Sequence, residues 1–106
     1  MAFIHLPDLE EREIIPGFHA RMQHTEHMTI AFWKVEAGAS LPEHGHPHEQ
    51  ITAVIRGTFE MTVNGEKRII GPGDVVVIPS QATHSATALT ECRLVDVFSP
   101  AREDYR

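Results

Sequence analysis

Apolar and polar positions alternate most cleanly in the middle of the chain. In Thr58-Phe59-Glu60-Met61-Thr62-Val63, the apolar Phe59, Met61 and Val63 interleave with Thr58, Glu60 and Thr62. A period of two places the three apolar side chains on one face of a strand. Asn64-Gly65 follows, a dipeptide suited to a two-residue type I′ hairpin turn. Glu66 to Ile70 is then the returning strand. Gly71-Pro72-Gly73-Asp74 predicts a second turn, and Val75 to Ile78 a short buried strand that Pro79 ends. Further strands are expected at Met28 to Glu36, Gln50 to Arg56, His84 to Leu89 and Glu91 to Phe98. Gly38 to Pro47 reads as a loop. Near the N-terminus, Asp8-Leu9-Glu10-Glu11 resembles a helix capping box with room for about one turn before Pro16-Gly17. Seven Gly and seven Pro punctuate short β-branched segments. The fold class expected is all-β, a small barrel or sandwich.

Length adds one constraint. A chain of 106 residues is expected to form a single domain spanning 1–106. The run Val75-Val76-Val77-Ile78 falls far short of the ~20 residues that cross a bilayer. The start, Met1-Ala2-Phe3-Ile4-His5, lacks a cationic segment leading into a long apolar one. The expectation is a cytoplasmic protein without a membrane partner. Fifteen acidic and nine basic residues leave a net charge of −6. With no basic cluster beyond Lys67-Arg68, a nucleic-acid partner is not expected.

Histidine is the compositional anomaly: eight, against one cysteine. A lone Cys92 forms no intramolecular disulfide and no multi-cysteine metal site. Any metal chemistry therefore rests on imidazole. His5, His19, His24 and His27 are scattered and read as solvated side chains on the surface. Glu43-His44-Gly45-His46-Pro47-His48-Glu49-Gln50 is different, because His44, His46, His48 and Gln50 share one parity. Two imidazoles two residues apart can reach one ion, and His84 is the obvious third ligand from elsewhere. Glu49 joins such a set only if its strand slips by one residue, which flips its face. Otherwise it is solvated or orients a histidine.

Parity also marks the last strand, where Cys92, Leu94, Asp96 and Phe98 share a face. A carboxylate among apolar neighbours either suits proton transfer or is paired with a cation such as Arg102. Cys92, Trp33, Phe32 and Met61 read as packing. If Gln50 points inward, Ile51, Ala53 and Ile55 point outward and need a cover, from a partner subunit or the N-terminal strand. A homodimer is expected.

Two spaced motifs resemble those of the cupin superfamily. The first is Gly38, His44, His46, Gln50 and Gly57, with every spacing matched. The second is Gly73, Pro79 and His84, with Gln81 where that family carries Gly and Ala88 where it carries Asn. The resemblance covers roughly residues 28–98. It implies a small jelly-roll β-barrel in which His44, His46, Gln50 and His84 hold one divalent ion (Ni, Zn, Mn, Fe or Cu). A three-His, one-Gln set is neutral, so the ion keeps its full charge and suits a small anionic ligand. The ending Asp96-Val97-Phe98-Ser99-Pro100-Ala101-Arg102-Glu103-Asp104-Tyr105 is similar to that of small cupins that open unsaturated uronates to linear keto-uronates. That narrower resemblance implies a catalytic Asp96, with Phe98 and Arg102 on the substrate. The rival expectations are a metal-dependent dioxygenase and a non-enzymatic cupin that binds metal or a small ligand.

Overall fold

The computed structural model describes residues 2–106. Among them, ten strands form two antiparallel sheets that enclose one core. The strands are β1 (Arg12–Ile15), β2 (Phe18–His24), β3 (Thr29–Val35), β4 (Ser40–His44), β5 (Glu49–Arg56), β6 (Phe59–Val63), β7 (Glu66–Ile70), β8 (Val75–Ile78), β9 (His84–Ala88) and β10 (Cys92–Ser99). The six-stranded sheet runs β1-β2-β3-β10-β5-β8 and the four-stranded sheet β4-β9-β6-β7. This is the all-β class that the chain's pattern predicts, in the jelly-roll form that the resemblance of its two spaced motifs implies. No helix among the described residues is long and apolar enough to cross a membrane.

The β6–β7 hairpin forms as its alternation predicts. Asn64 and Gly65 both take positive φ, 48° and 83°, as a type I′ turn requires. Phe59 and Met61 point into the core, which also holds Trp33, Val35, Ile78, Leu94 and Phe98. Cys92 is fully buried within it, and burial pushes its thiol up, away from reactivity. Two motif positions have clear steric reasons. A Cβ on Gly57, at φ 90°, would lie 2.2 Å from the Glu91 carbonyl oxygen. Gln81 stands where the motif carries Gly and adopts φ 67°, a left-handed conformation costly for a side chain. Its N–H donates to the His46 carbonyl at 2.8 Å, which ties the two motifs together.

Three expectations need correction, and β1 and β2 come in addition to the strands expected. In β2, Phe18, Ala20 and Met22 alternate with His19, Arg21 and Gln23, a period of two that marks a strand, whereas the Arg-Glu-Ile-Ile of β1 carries no such alternation. Ser40–His44 is a strand and not loop, held by pairing with β9. The Asp8 segment makes no capped α-helix; a single 3-10 turn, Leu6–Asp8, stands there. β8 is not buried: it is an edge strand, and Val75 and Val77 are 62% and 66% exposed while Ile78 packs inward. Its continuous apolar run concealed a period of two.

β5 and β10 position everything that follows. They pair with Phe98 opposite Gln50, Asp96 opposite Thr52 and Leu94 opposite Val54, all facing inward. Ile51, Ala53 and Ile55 face outward, and the N-terminal strands pair at the far edge of the sheet, leaving them uncovered.

Candidate metal centre

Three histidines converge from two places in the chain. His44 ends β4 and lies opposite His84, the first residue of β9. Gly45 turns the chain so that His46 follows on the same side. A Cβ on Gly45 would meet the Gln81 carbonyl at 3.2 Å, so the two motif loops pack tightly. One ring nitrogen each from His44, His46 and His84 lies within 4.8 Å of the others. The His44 and His84 rings stand 4.1 Å apart between centroids, and His46 and His84 5.0 Å.

Backbone carbonyls decide which nitrogen faces the cluster. Nδ1–H of His44 donates to the Pro42 carbonyl at 2.9 Å, that of His84 to Ala82 at 3.0 Å, and that of His46 to His48 at 3.2 Å. A carbonyl only accepts, so Nδ1 carries the proton and Nε2 keeps its lone pair. Three lone pairs are thereby aimed at one point. Burial, with help from the Arg102 charge, lowers His46 to about 4. Burial also lowers His84. Both stay neutral near pH 7, the form a metal requires.

Gln50 completes the constellation through a chain of polarity. An ionised Asp96 only accepts, so the Thr52 hydroxyl donates its proton to Asp96 Oδ1. Thr52 Oγ1 must then accept from Gln50 Nε2, at 3.0 Å. That leaves Gln50 Oε1 facing His46 Nε2 at 3.1 Å. Two electron-pair donors facing each other at this distance repel without a cation. It is the spacing of neighbouring ligands with bonds of ~2.0–2.2 Å to one ion. The donor set thus fits a divalent metal, held by His44, His46, His84 and Gln50. Thr52 was missed in the sequence, although its parity with Gln50 and its position opposite Asp96 were the signals for it.

Beside the histidines lies the buried Asp96. Burial raises its carboxyl to about 6, against the opposing pull of its hydrogen bonds from Thr52 and Gln50. The Trp33 indole N–H, which has no regular hydrogen-bond partner, also lies near enough to favour the charged form. Asp96 is not ion-paired with Arg102. That guanidinium is itself buried, bonds Asp104 at 2.8 and 3.0 Å, and stacks over Phe98 and Tyr105 at 4.8 and 4.0 Å from the ring centroids. Desolvation works to lower the Arg102 pKa, and the Asp104 hydrogen bond outweighs it. Phe98 packs edge-on to His46 at 5.9 Å.

All these groups line one cavity of about 60 Å³. It has room for an ion and a water or two. His48 contributes its carbonyl to the site, while its ring stands outside the cluster. Glu49 is exposed on the opposite face of β5. His19 bonds Glu36 and His24 bonds Thr29, whereas His5 and His27 are exposed.

Comparison with known proteins agrees with this architecture. Residues 31–98 match the cupin domain family. The chain is 40% identical over 70 residues to the pectin degradation protein KdgF of Dickeya dadantii, an alignment spanning 64% of each protein. The solved structure of KdgF from a Halomonas species superposes with a TM-score of 0.93 at 33% identity, covering 100% of this chain and 99% of that one. An RmlC-like cupin from Shewanella frigidimarina gives 0.95 at 29% identity, covering 100% and 96%.

Proposed function

We propose, from the premise that this chain belongs to the cupin domain family, that it is a metal-dependent isomerase opening the ring of a small unsaturated uronate. The observation that carries this reading is the single cavity shared by three histidine lone pairs, the Gln50 oxygen and a buried carboxylate. Similarity to two KdgF proteins, one of them described as a pectin degradation protein, supports the substrate class. A divalent ion held by His44, His46, Gln50 and His84 would act as a Lewis acid on a carboxylate or hydroxyl oxygen of the sugar.

The remaining steps belong to the chain's own side chains. Arg102 supplies positive charge at the rim for the uronate carboxylate, and Phe98 packs on the ring and keeps water out. Asp96 removes the proton of the anomeric hydroxyl. The C1 carbonyl forms as the C1–O5 bond breaks, and the electron pair passes to O5 of the enolate. Asp96 returns the proton to C4, and the enolate becomes a ketone. No redox partner is needed, and the sum is an isomerisation. Burial that lifts the Asp96 carboxyl to about 6 suits a group that takes and returns a proton near neutral pH.

The test is Asp96→Asn, assayed on an unsaturated uronate with metal restored. A loss of turnover of ~10²-fold or more, with metal content retained, is expected; unchanged turnover removes Asp96 from the reaction. A dioxygenase centre of two histidines and a carboxylate is less favoured: among the described residues no carboxylate joins the His44, His46 and His84 cluster, and Glu49 lies on the other face of its strand. We also propose that the protein is a homodimer, supported by the uncovered Ile51, Ile55, Val75 and Val77 on the outer sheet face.

A further inference from the structure

One donor on the cavity wall is left over once the hydrogen bonds of the site are assigned. The Nδ1–H groups of His44, His46 and His84 point to backbone carbonyls, the Thr52 hydroxyl to Asp96 and the Gln50 amide to Thr52. Trp33 lines the same cavity, and its Nε1–H is buried without a partner. The residue as a whole is only 8% exposed. A buried indole N–H usually finds an acceptor, and an unpaired one marks a place where a ligand or water belongs. Packing does not account for the donor. Trp33 meets Phe18 edge-on, with ring centroids 6.1 Å apart and planes at 83°, a contact that a phenylalanine ring makes as well. Strand register sets the indole beside Asp96. Trp33 in β3 lies opposite Leu94 in β10, and Asp96, two residues further on, lies opposite Ala31. Trp33 and Asp96 therefore share the inner face at diagonal positions, within reach of a large ring. The residues opposite them are small, Ala20 across from Trp33 and Ala31 across from Asp96, which gives the indole room to lean towards the carboxylate.

Thr52 occupies Asp96 Oδ1, which leaves Oδ2 as the acceptor for a ligand. The wall thus offers one free acceptor beside one free donor. A hydroxyl answers both, since it donates through its O–H and accepts through its oxygen. A carboxylate would meet Asp96 as a like charge, and an ether oxygen would leave Oδ2 unpaired. We propose that Trp33 is a further catalytic residue, whose Nε1–H donates to the same substrate hydroxyl whose proton Asp96 removes. The proposal rests on the ring-opening reading above and adds the group that holds the reacting oxygen. In that step the O–H bond breaks and its proton joins Asp96 Oδ2. The oxygen becomes the C1 carbonyl as the C1–O5 bond breaks. Negative charge gathers on this oxygen while the proton leaves. An N–H already aimed at it from a buried wall stabilises that charge without reorganisation. Trp33 keeps its own proton throughout, so no further reactant is required. Held between the indole and the carboxylate, the hydroxyl is also fixed in place for the transfer.

The chain has one tryptophan, so replacing tryptophan changes this site alone. Trp33→Phe keeps an aromatic ring and removes the N–H. Biosynthetic replacement of tryptophan by benzothienylalanine, which carries sulfur in place of the N–H, keeps the shape as well. Isothermal titration of each metal-loaded protein with a saturated uronate and with its 1-deoxy analogue reads the contact apart from turnover. The wild type is expected to prefer the hydroxyl-bearing sugar by about tenfold or more. Both replacements are expected to cut that preference by about threefold or more. They are also expected to lower kcat on an unsaturated uronate by about tenfold or more, with metal content unchanged. A preference that both replacements leave intact overturns the role of Trp33, while the ring-opening reading stands. A loss seen in Trp33→Phe but absent with benzothienylalanine is a packing effect and overturns it too. A wild type that neither binds the saturated uronate nor turns over the unsaturated one overturns the ring-opening reading, and the assignment of Trp33 with it.

Discussion

β5 has two faces with opposite composition. The inner face carries Gln50 and Thr52 beside Val54, and the outer face carries Ile51, Ala53 and Ile55. The usual sense of a half-buried strand, apolar in and polar out, is reversed over its first half. Both departures are tolerable only if something compensates. Inside, Asp96, Thr52 and the Gln50 amide nitrogen are partnered in one relay, which leaves the Gln50 oxygen to be satisfied by an ion. Outside, the apolar side chains have no cover within the chain. A buried polar relay with one oxygen left over fits the proposed site, and apolar groups exposed in register fit the proposed contact. The two occupy opposite sides of one strand, so they can be perturbed separately.

The largest expected effect lies on the inner face. His46→Ala removes a donor and is expected to lower metal affinity by more than the ~10–100-fold typical of losing an outer partner, with the fold intact. Competition with a chelating dye measures this. Thr52→Val sharpens the inner side further. It keeps the volume but leaves nothing to accept from Gln50 Nε2, so the amide is free to turn its oxygen away from His46. A ~10–100-fold loss of metal affinity is expected, while Thr52→Ser stays within about threefold. If Val and Ser behave alike, the hydroxyl does not orient Gln50. On the outer face, Ile51→Asp is expected to weaken self-association by about tenfold in sedimentation and to leave metal affinity unchanged. A matching loss of metal would show that the two faces are coupled. The smallest effect is at the loop joining the motifs. Gln81→Gly relieves a left-handed side chain and is expected to stabilise the protein by up to about 1 kcal/mol in chemical denaturation.

The separation of faces also explains what could be read from the amino acids alone. Short-range rules were sufficient where one periodicity acted, as in Phe59 to Val63 and its Asn64-Gly65 turn. Parity put Gln50 inside and Ile51 outside, and it put Asp96 on the face of Phe98. It failed at β8, where Val75 to Ile78 is apolar at every position and only the uncovered outer face exposes Val75 and Val77. It failed again at β4, because Ser40–His44 is a strand through its pairing with β9, a contact forty or more residues away. The candidate ligands were legible as a motif. Their convergence was not, since His44 and His84 come from one sheet and Gln50 from the other. The carbonyls of Pro42, Ala82 and His48 that turn the imidazoles had no signal in the sequence. Neither did the state of Arg102, which is held by Asp104 and two aromatic rings instead of by Asp96.

One measurement bears on the inner face most directly: elemental analysis of the protein purified without added metal, beside His44→Ala prepared in parallel. The account expects about one divalent ion per chain in the wild type and a large loss in the variant. A wild type without metal, indistinguishable from His44→Ala, would contradict it.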